Sequence, residues 1–210
     1  MAFLDGVYAI GDFLDAHNGT ITALATIVIA AFTAILTIVT NRQARLTKEA
    51  LVTTERAFVF LEDFDTEWSF QPGSVNNRIG RFLIKPRWRN NGTTPTKNML
   101  VAVNWSHWMG DPPAGFKYEY GDPRARMFLG PQATEWSTGI DIPSPVASSA
   151  LKGDQHIFIW GRTDYEDIFD GTRPHFTEWC YRLKLSESGT QLYPQFIAYG
   201  EHNRSDEDRH

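Results

Sequence analysis

Hydrophobic positions along this chain change period near residue 57. Before that point lies an uninterrupted apolar block: positions 16–41 hold no Asp, Glu, Lys or Arg, and positions 21–39 (ITALATIVIAAFTAILTIV) also lack proline. Ten of those nineteen residues are Ile, Leu, Val or Phe. At 1.5 Å per residue such a helix reaches about 28 Å, close to the ~30 Å hydrocarbon thickness of a bilayer. Its insertion is favoured by roughly 3–6 kcal/mol, with no charge to cancel it. The pattern predicts a transmembrane helix over 20–40. Residues 1–17 read as an amphipathic interfacial helix, with Asp5, Tyr8, Asp12 and Asp15 on one side and Phe3, Leu4, Val7, Ile10 and Leu14 on the other. Asn18-Gly19-Thr20 is predicted to break the chain between the two, with Thr20 as N-cap. Residues 41–56 (NRQARLTKEALVTTER) contain good helix formers and no Gly or Pro, and predict a stalk helix leaving the membrane.

After residue 57 the alternation is that of strands. Positions 57–61 form a β run ahead of the acidic Glu62-Asp63-Phe64-Asp65. Over 81–90, Phe82, Ile84 and Trp88 take one face while Arg81, Lys85, Arg87 and Arg89 take the other, and Pro86 predicts an edge position or a bulge. Turn residues 90–95 lead to a strand in which Met99, Val101, Val103 and Trp105 alternate with Leu100, Ala102 and Asn104. Residues 127–129, a Gly130-Pro131-Gln132 turn and a strand over 134–142 follow, then two long runs, 155–165 and 175–185, predicted to form a hairpin around Asp170-Gly171. Residues 195–198 add a short strand, and 201–210 read as a disordered polar tail. Seven or so strands, with no helical pattern after 57, predict an all-β antiparallel sandwich over 57–200.

The runs WRNNGTTPTKNMLVAV and FLGPQATEW resemble the N-x-G and L-x-P-G-like turns of bacterial immunoglobulin-like domains, with Gln132 standing where that pattern often has Gly. The layout resembles a group of uncharacterised bacterial single-pass membrane proteins with a stalk helix and a C-terminal immunoglobulin-like β domain. In these a T-x-R-A-[FY]-V-like junction, here Thr54-Glu55-Arg56-Ala57-Phe58-Val59, joins helix to domain. The resemblance covers residues 20–185. It implies an immunoglobulin-like fold and the bacterial cytoplasmic (inner) membrane, and brings no activity with it.

Charge sets the expected orientation. Three Asp and no Lys or Arg precede the span, while Arg42, Arg45 and Lys48 follow it; the positive-inside rule then puts the N-terminus outside and the C-terminal domain in the cytoplasm. The lack of a basic n-region and of an A-x-A site predicts an anchor rather than a cleaved signal peptide. A net charge of −5 gives no reason to expect nucleic acid as a partner. The single cysteine, Cys180, sits in an apolar-aromatic run, which predicts a buried, unreactive thiol.

Chemistry-bearing motifs are few. The acidic run 164–171 has the wrong spacing for a calcium loop and predicts a solvated hairpin tip. The six histidines show no metal-ligand spacing; His156 and His175 are candidates to face each other across the last hairpin, but two ligands do not make a site. No nucleophile elbow, phosphate loop or dinucleotide fingerprint occurs, so a non-catalytic protein with no cofactor and no metal is expected. Two features suggest contacts. Thr22, Thr26, Ala30 and Ala34, with Thr37, form a small-residue stripe suited to close helix–helix approach. Arg42, Arg45 and Lys48, and the stripe Arg81, Lys85, Arg87 and Arg89, suit an acidic partner or anionic lipid. The expected function is a membrane-anchored protein-interaction module, an accessory subunit of a larger assembly, meeting a protein partner or a second copy through the span. The alternative is a membrane-tethered sensor or enzyme with a small-molecule site in the β domain.

Overall fold

The computed structural model describes residues 2–70, 79–121, 124–189 and 191–206. It divides into two units, Met1–Thr53 and Thr54–His210.

The first unit is one helix, α1 (Ala2–Glu55), whose 54 residues span about 80 Å. The expected break at Asn18-Gly19-Thr20 is absent. A mid-helix glycine costs only about 1 kcal/mol, which the helical hydrogen bonds on both sides offset. Residues 1–17 are thus the start of the same helix from Ala2, and their expected amphipathic faces fall outside the described side chains. The stalk is helical to Glu55, as the sequence predicts. Thr22, Thr26, Thr33 and Thr37 each donate a hydroxyl to the carbonyl four residues back, at 2.7–2.9 Å, so these four hydroxyls are satisfied within the helix. The apolar side chains are fully turned outward, with Val28 and Ile29 each 65% exposed. This is the one helix among the described residues long and apolar enough to cross a membrane.

The second unit is two antiparallel sheets enclosing one core. One sheet holds β1 (Val59–Phe70), β2 (Ile79–Asn90), and β5 (Thr134–Trp136) and β6 (Ile140–Ile142), which share the far edge of β2. The other runs from β4 (Ala125–Met127) through β3 (Lys97–Trp108) and β7 (His156–Glu166) to β8 (His175–Ser188), whose outer edge carries β9 (Gln191–Ala198) and β10 (Arg204–Ser205). Phe82, Ile84 and Trp88 point inward from β2 as their alternation predicts; Met99, Val101, Ile157, Ile159 and Leu183 meet them from the other sheet. Gly161 faces Trp179 because a β-carbon there would lie 2.4 Å from the indole ring.

Asn90, fully buried, ties the turns at one end of the sandwich. Its carbonyl oxygen accepts from the Phe58 and Gly92 N–H groups (3.0 and 2.9 Å), and its amide donates to the Thr94 and Gly130 carbonyls (2.7 and 3.0 Å). Gln132, where the resemblance has Gly, adopts φ +55°, the left-handed region. Its side-chain amide donates to the Asn91 and Gly92 carbonyls (2.6 and 3.1 Å), an anchorage glycine cannot make.

Several expectations change. Pro86 is not on an edge: β2 is the central strand of its sheet. The bulge reading holds instead, because β1 shifts register at Leu61/Asp63, and the opposite neighbour leaves the ladder between β5 and β6. The strand expected over 134–142 is thereby split in two. A helix occurs after residue 57, namely α2 (Ser144–Lys152), begun by Pro143 and Pro145 and stopped by Gly153 at φ +82°. Its Ala147 and Ala150 close the core. The tail expected to be disordered from 201 is ordered through 206, with β10 paired to β8; the last residues fall outside the described set.

Candidate functional site

The basic stripe on β2 is real but already matched. Acidic β1 runs antiparallel to it, with Asp63 opposite Arg87 and Asp65 opposite Lys85. Arg87 reaches Glu62 at 3.0 Å and Asp63 at 3.7 Å, Arg89 reaches Glu62 at 2.8 Å, Arg81 reaches Asp141 at 3.8 Å, and Lys85 pairs with Glu67. The Lys85 ammonium holds the Glu67 carboxyl below its usual range. Arg87 also lies 4.9 Å above the Trp136 ring. The stripe presents a mixed-charge face on a central strand rather than a guard on an open edge. Thr22, Thr26, Ala30 and Ala34 lie exposed on α1, and Arg42, Arg45 and Lys48 follow on the same helix, Arg45 pairing with Glu49 at 3.4 Å.

On the outer face of the larger sheet, the loop through 113–120 and the 199–206 tail cover two buried clusters. One is aromatic: Phe158, Trp160 and Cys180 are buried under Trp108, Phe116, Tyr118, Tyr120 and Tyr199. Burial pushes the Cys180 thiol up to about 11, the unreactive state its neighbours predict. The other is ionic. Arg162 binds Asp164 and Glu178, Arg124 binds Asp164, and Arg204 of the tail binds Glu178 at 2.9 Å. Burial opposes the charge on Glu178, but Arg204 and Arg162 outweigh it and hold its carboxyl below the usual range.

The tip of the acidic run is solvated at Asp170 and Gly171, as expected, but Asp167 within it is not. Asp167 is buried and accepts from the Phe169 N–H and the Thr172 hydroxyl, while His175 bridges it (3.1 Å) to Asp206 of the tail (2.7 Å). His156 does not face His175: it opposes Trp108 at the other end of β7, and His175 opposes Tyr165. The two links to the tail, Glu178 to Arg204 and His175 to Asp206, join residues 26 and 31 positions apart, a separation no local motif displays. Each acid and base here is held by another, so the clusters fasten the tail rather than await a substrate.

A groove on one side of the sandwich is different. β4 pairs with β3 only at positions 99–101, and among the described residues no strand pairs with β3 beyond Val101 on that side. There a groove of about 400 Å³ opens between the β3 edge and the β5–β6 bulge, lined by Val103, Asn104, Trp105, Thr138, Gly139 and Ile140, among others. Every second residue of 102–108 turns its N–H and C=O to that edge. The Trp105 N–H is met by the carboxamide of its own neighbour, Asn104, at 2.9 Å. Gly139 is confined by Leu83, 2.9 Å from where a β-carbon would stand, so the bulge hugs the sheet and leaves the groove open. Alternation located β3, but the edge depends on β4 being only three residues long, which no pattern in the chain announces.

No family model, no curated protein and no solved structure matches this chain.

Proposed function

We propose that this protein is a membrane-anchored, non-catalytic interaction module that holds a partner protein by adding an extended segment of it to the free edge of β3. The open edge beside the groove carries this reading: exposed strand groups are satisfied by another strand, and alternate side chains of that strand enter pockets along the sheet. Val103 and Trp105 offer an apolar wall, and Thr138 and Gly139 leave room for small or branched side chains. The apolar α1 serves as a single-pass anchor, and the basic residues after it favour an outside N-terminus and a cytoplasmic β domain.

The strand order supports an immunoglobulin-like reading of the domain. β1, β2 and the β5–β6 pair lie in one sheet and β3, β4, β7 and β8 in the other, with α2 crossing between them. Membership in the group of bacterial anchored proteins belongs to the same proposal, as does placement in the inner membrane.

Thr138 is exposed at the groove wall. A photo-crosslinking residue there, in the full chain in its native membrane, is expected to give one discrete adduct with an extended segment of a partner; Thr138→Trp, which fills the groove, abolishes partner copurification. No adduct at Thr138 would sink the proposal, and an adduct with a second copy would replace the foreign partner by self-association.

A further inference from the structure

A second concavity, of about 320 Å³, lies where β7 begins beside the end of α2, lined by Leu151, Lys152, His156, Arg182, Lys184 and Leu185, among others. Three of these side chains are cations, and among the described residues none of the three makes an ion pair, in contrast to the stripe on β2. The helix end does not account for them. Its last carbonyls are capped by Gly153 and Asp154 N–H groups bonded to Ala150 and Ser149 at 3.0 Å, and Lys152 alone meets the negative end of the dipole. Asp154 follows in the chain but does not line the notch. Arg182 and Lys184, on the neighbouring strand, make no ion pair among the described residues.

Gln155 Oε1 and His156 Nδ1 are sealed from solvent, and neither has a hydrogen-bond partner. Sealed in this way, the two atoms belong to the interior of the fold and not to the open face of the notch.

We infer that this notch binds the phosphate monoester group of a small organic molecule. A guanidinium fork suits two phosphate oxygens, ammonium groups add point charge, and together they match a dianion better than a single carboxylate. Half-buried Leu151 offers apolar surface to the carbon skeleton. A soluble organic phosphate and a lipid phosphomonoester share this chemistry. The inference is independent of strand docking at β3.

The test uses the full chain in phosphatidylcholine nanodiscs, titrated calorimetrically with glycerol phosphate. Saturable binding is expected, weakened about tenfold in Arg182→Gln and in Lys184→Gln, as loss of a charge-assisted bond implies. Lys97→Gln, at the far end of the β3–β7 ladder, is expected to bind as the parent does. Phosphatidic acid added to the discs suppresses glycerol phosphate binding if a lipid is the source and leaves it unchanged if a soluble molecule is. Absence of saturable binding, or equal affinity in the variants, overturns the inference. Lys184 is exposed, so its variant carries the test should Arg182→Gln fail to fold.

Discussion

Trp88 shows how far a single residue could be read and where reading stopped. Alternation along β2 sends it inward, and it is completely buried, 6.0 Å ring to ring from Trp179. What alternation does not show is that its indole N–H lies in the core with no hydrogen-bond partner. Burial of the ring is favourable and burial of the bare N–H is not. Trp88→Ala is therefore expected to cost roughly 3–5 kcal/mol, and Trp88→Phe distinctly less, because it keeps most of the ring and removes an unsatisfied donor. Denaturant unfolding of both variants checks this; equal losses would mean that the N–H is satisfied by a buried water. Periodicity is a local property, so Phe82, Ile84 and Trp88 were legible. Asn90, Asp167 and Glu178 were not, because their partners lie up to about forty positions away and polar residues in turns or on strands carry no mark of burial.

At the scale of elements, short pieces were hidden and long ones were plain. The strands β2 and β3 and the β7–β8 hairpin follow from period-two runs, whereas β1 was legible only at its start and runs through the acidic stretch to Phe70, where its carboxylates face the cations of β2. β10 has two residues, and the chain around it is polar enough to pass for a loose tail. Its order comes from outside itself: Asn203 exchanges bonds with the Cys180 backbone at 3.2 Å, Arg204 with Glu178, and Asp206 with His175. The acids set a pH dependence. Asp167 and Glu178 ionise below their usual range in the folded protein, since hydrogen bonds and cations outweigh burial. Their stabilisation is complete above the unfolded values of about 4 and disappears as pH falls through the lower folded values. The tail is thus expected to stay docked at neutral pH and to release in acid, read as loss of hydrogen-exchange protection at residues 203–206. Glu178→Gln leaves Arg204 without its acid and Arg162 with Asp164 alone. It is expected to cost roughly 1–3 kcal/mol at pH 7 and to flatten the acid limb of the stability curve. An unchanged acid limb would assign that dependence elsewhere.

The whole molecule joins two designs that need little from each other. Among the described residues every buried core residue lies at or after Ala57, and the contacts that close the sandwich, such as Val59 N–H to the Tyr165 hydroxyl at 3.2 Å and the Thr177 hydroxyl to the Val59 carbonyl, begin where the strands do. The helix, for its part, satisfies its own backbone and turns its threonine hydroxyls back on itself, which suits lipid and asks nothing of a protein core. Residues 54–210 alone should therefore fold. The full chain in detergent and the fragment in buffer are expected to unfold cooperatively with midpoints within a few degrees of each other, the fragment giving a β-rich circular dichroism spectrum. If cutting before Thr54 instead lowers the midpoint by ten degrees or more, the loss would correspond to about 2.5–5 kcal/mol for a domain this size. The helix would then be part of the domain's stability rather than its tether. Trp88→Ala in both forms separates the cases, since the same loss in each is expected when core and anchor are independent.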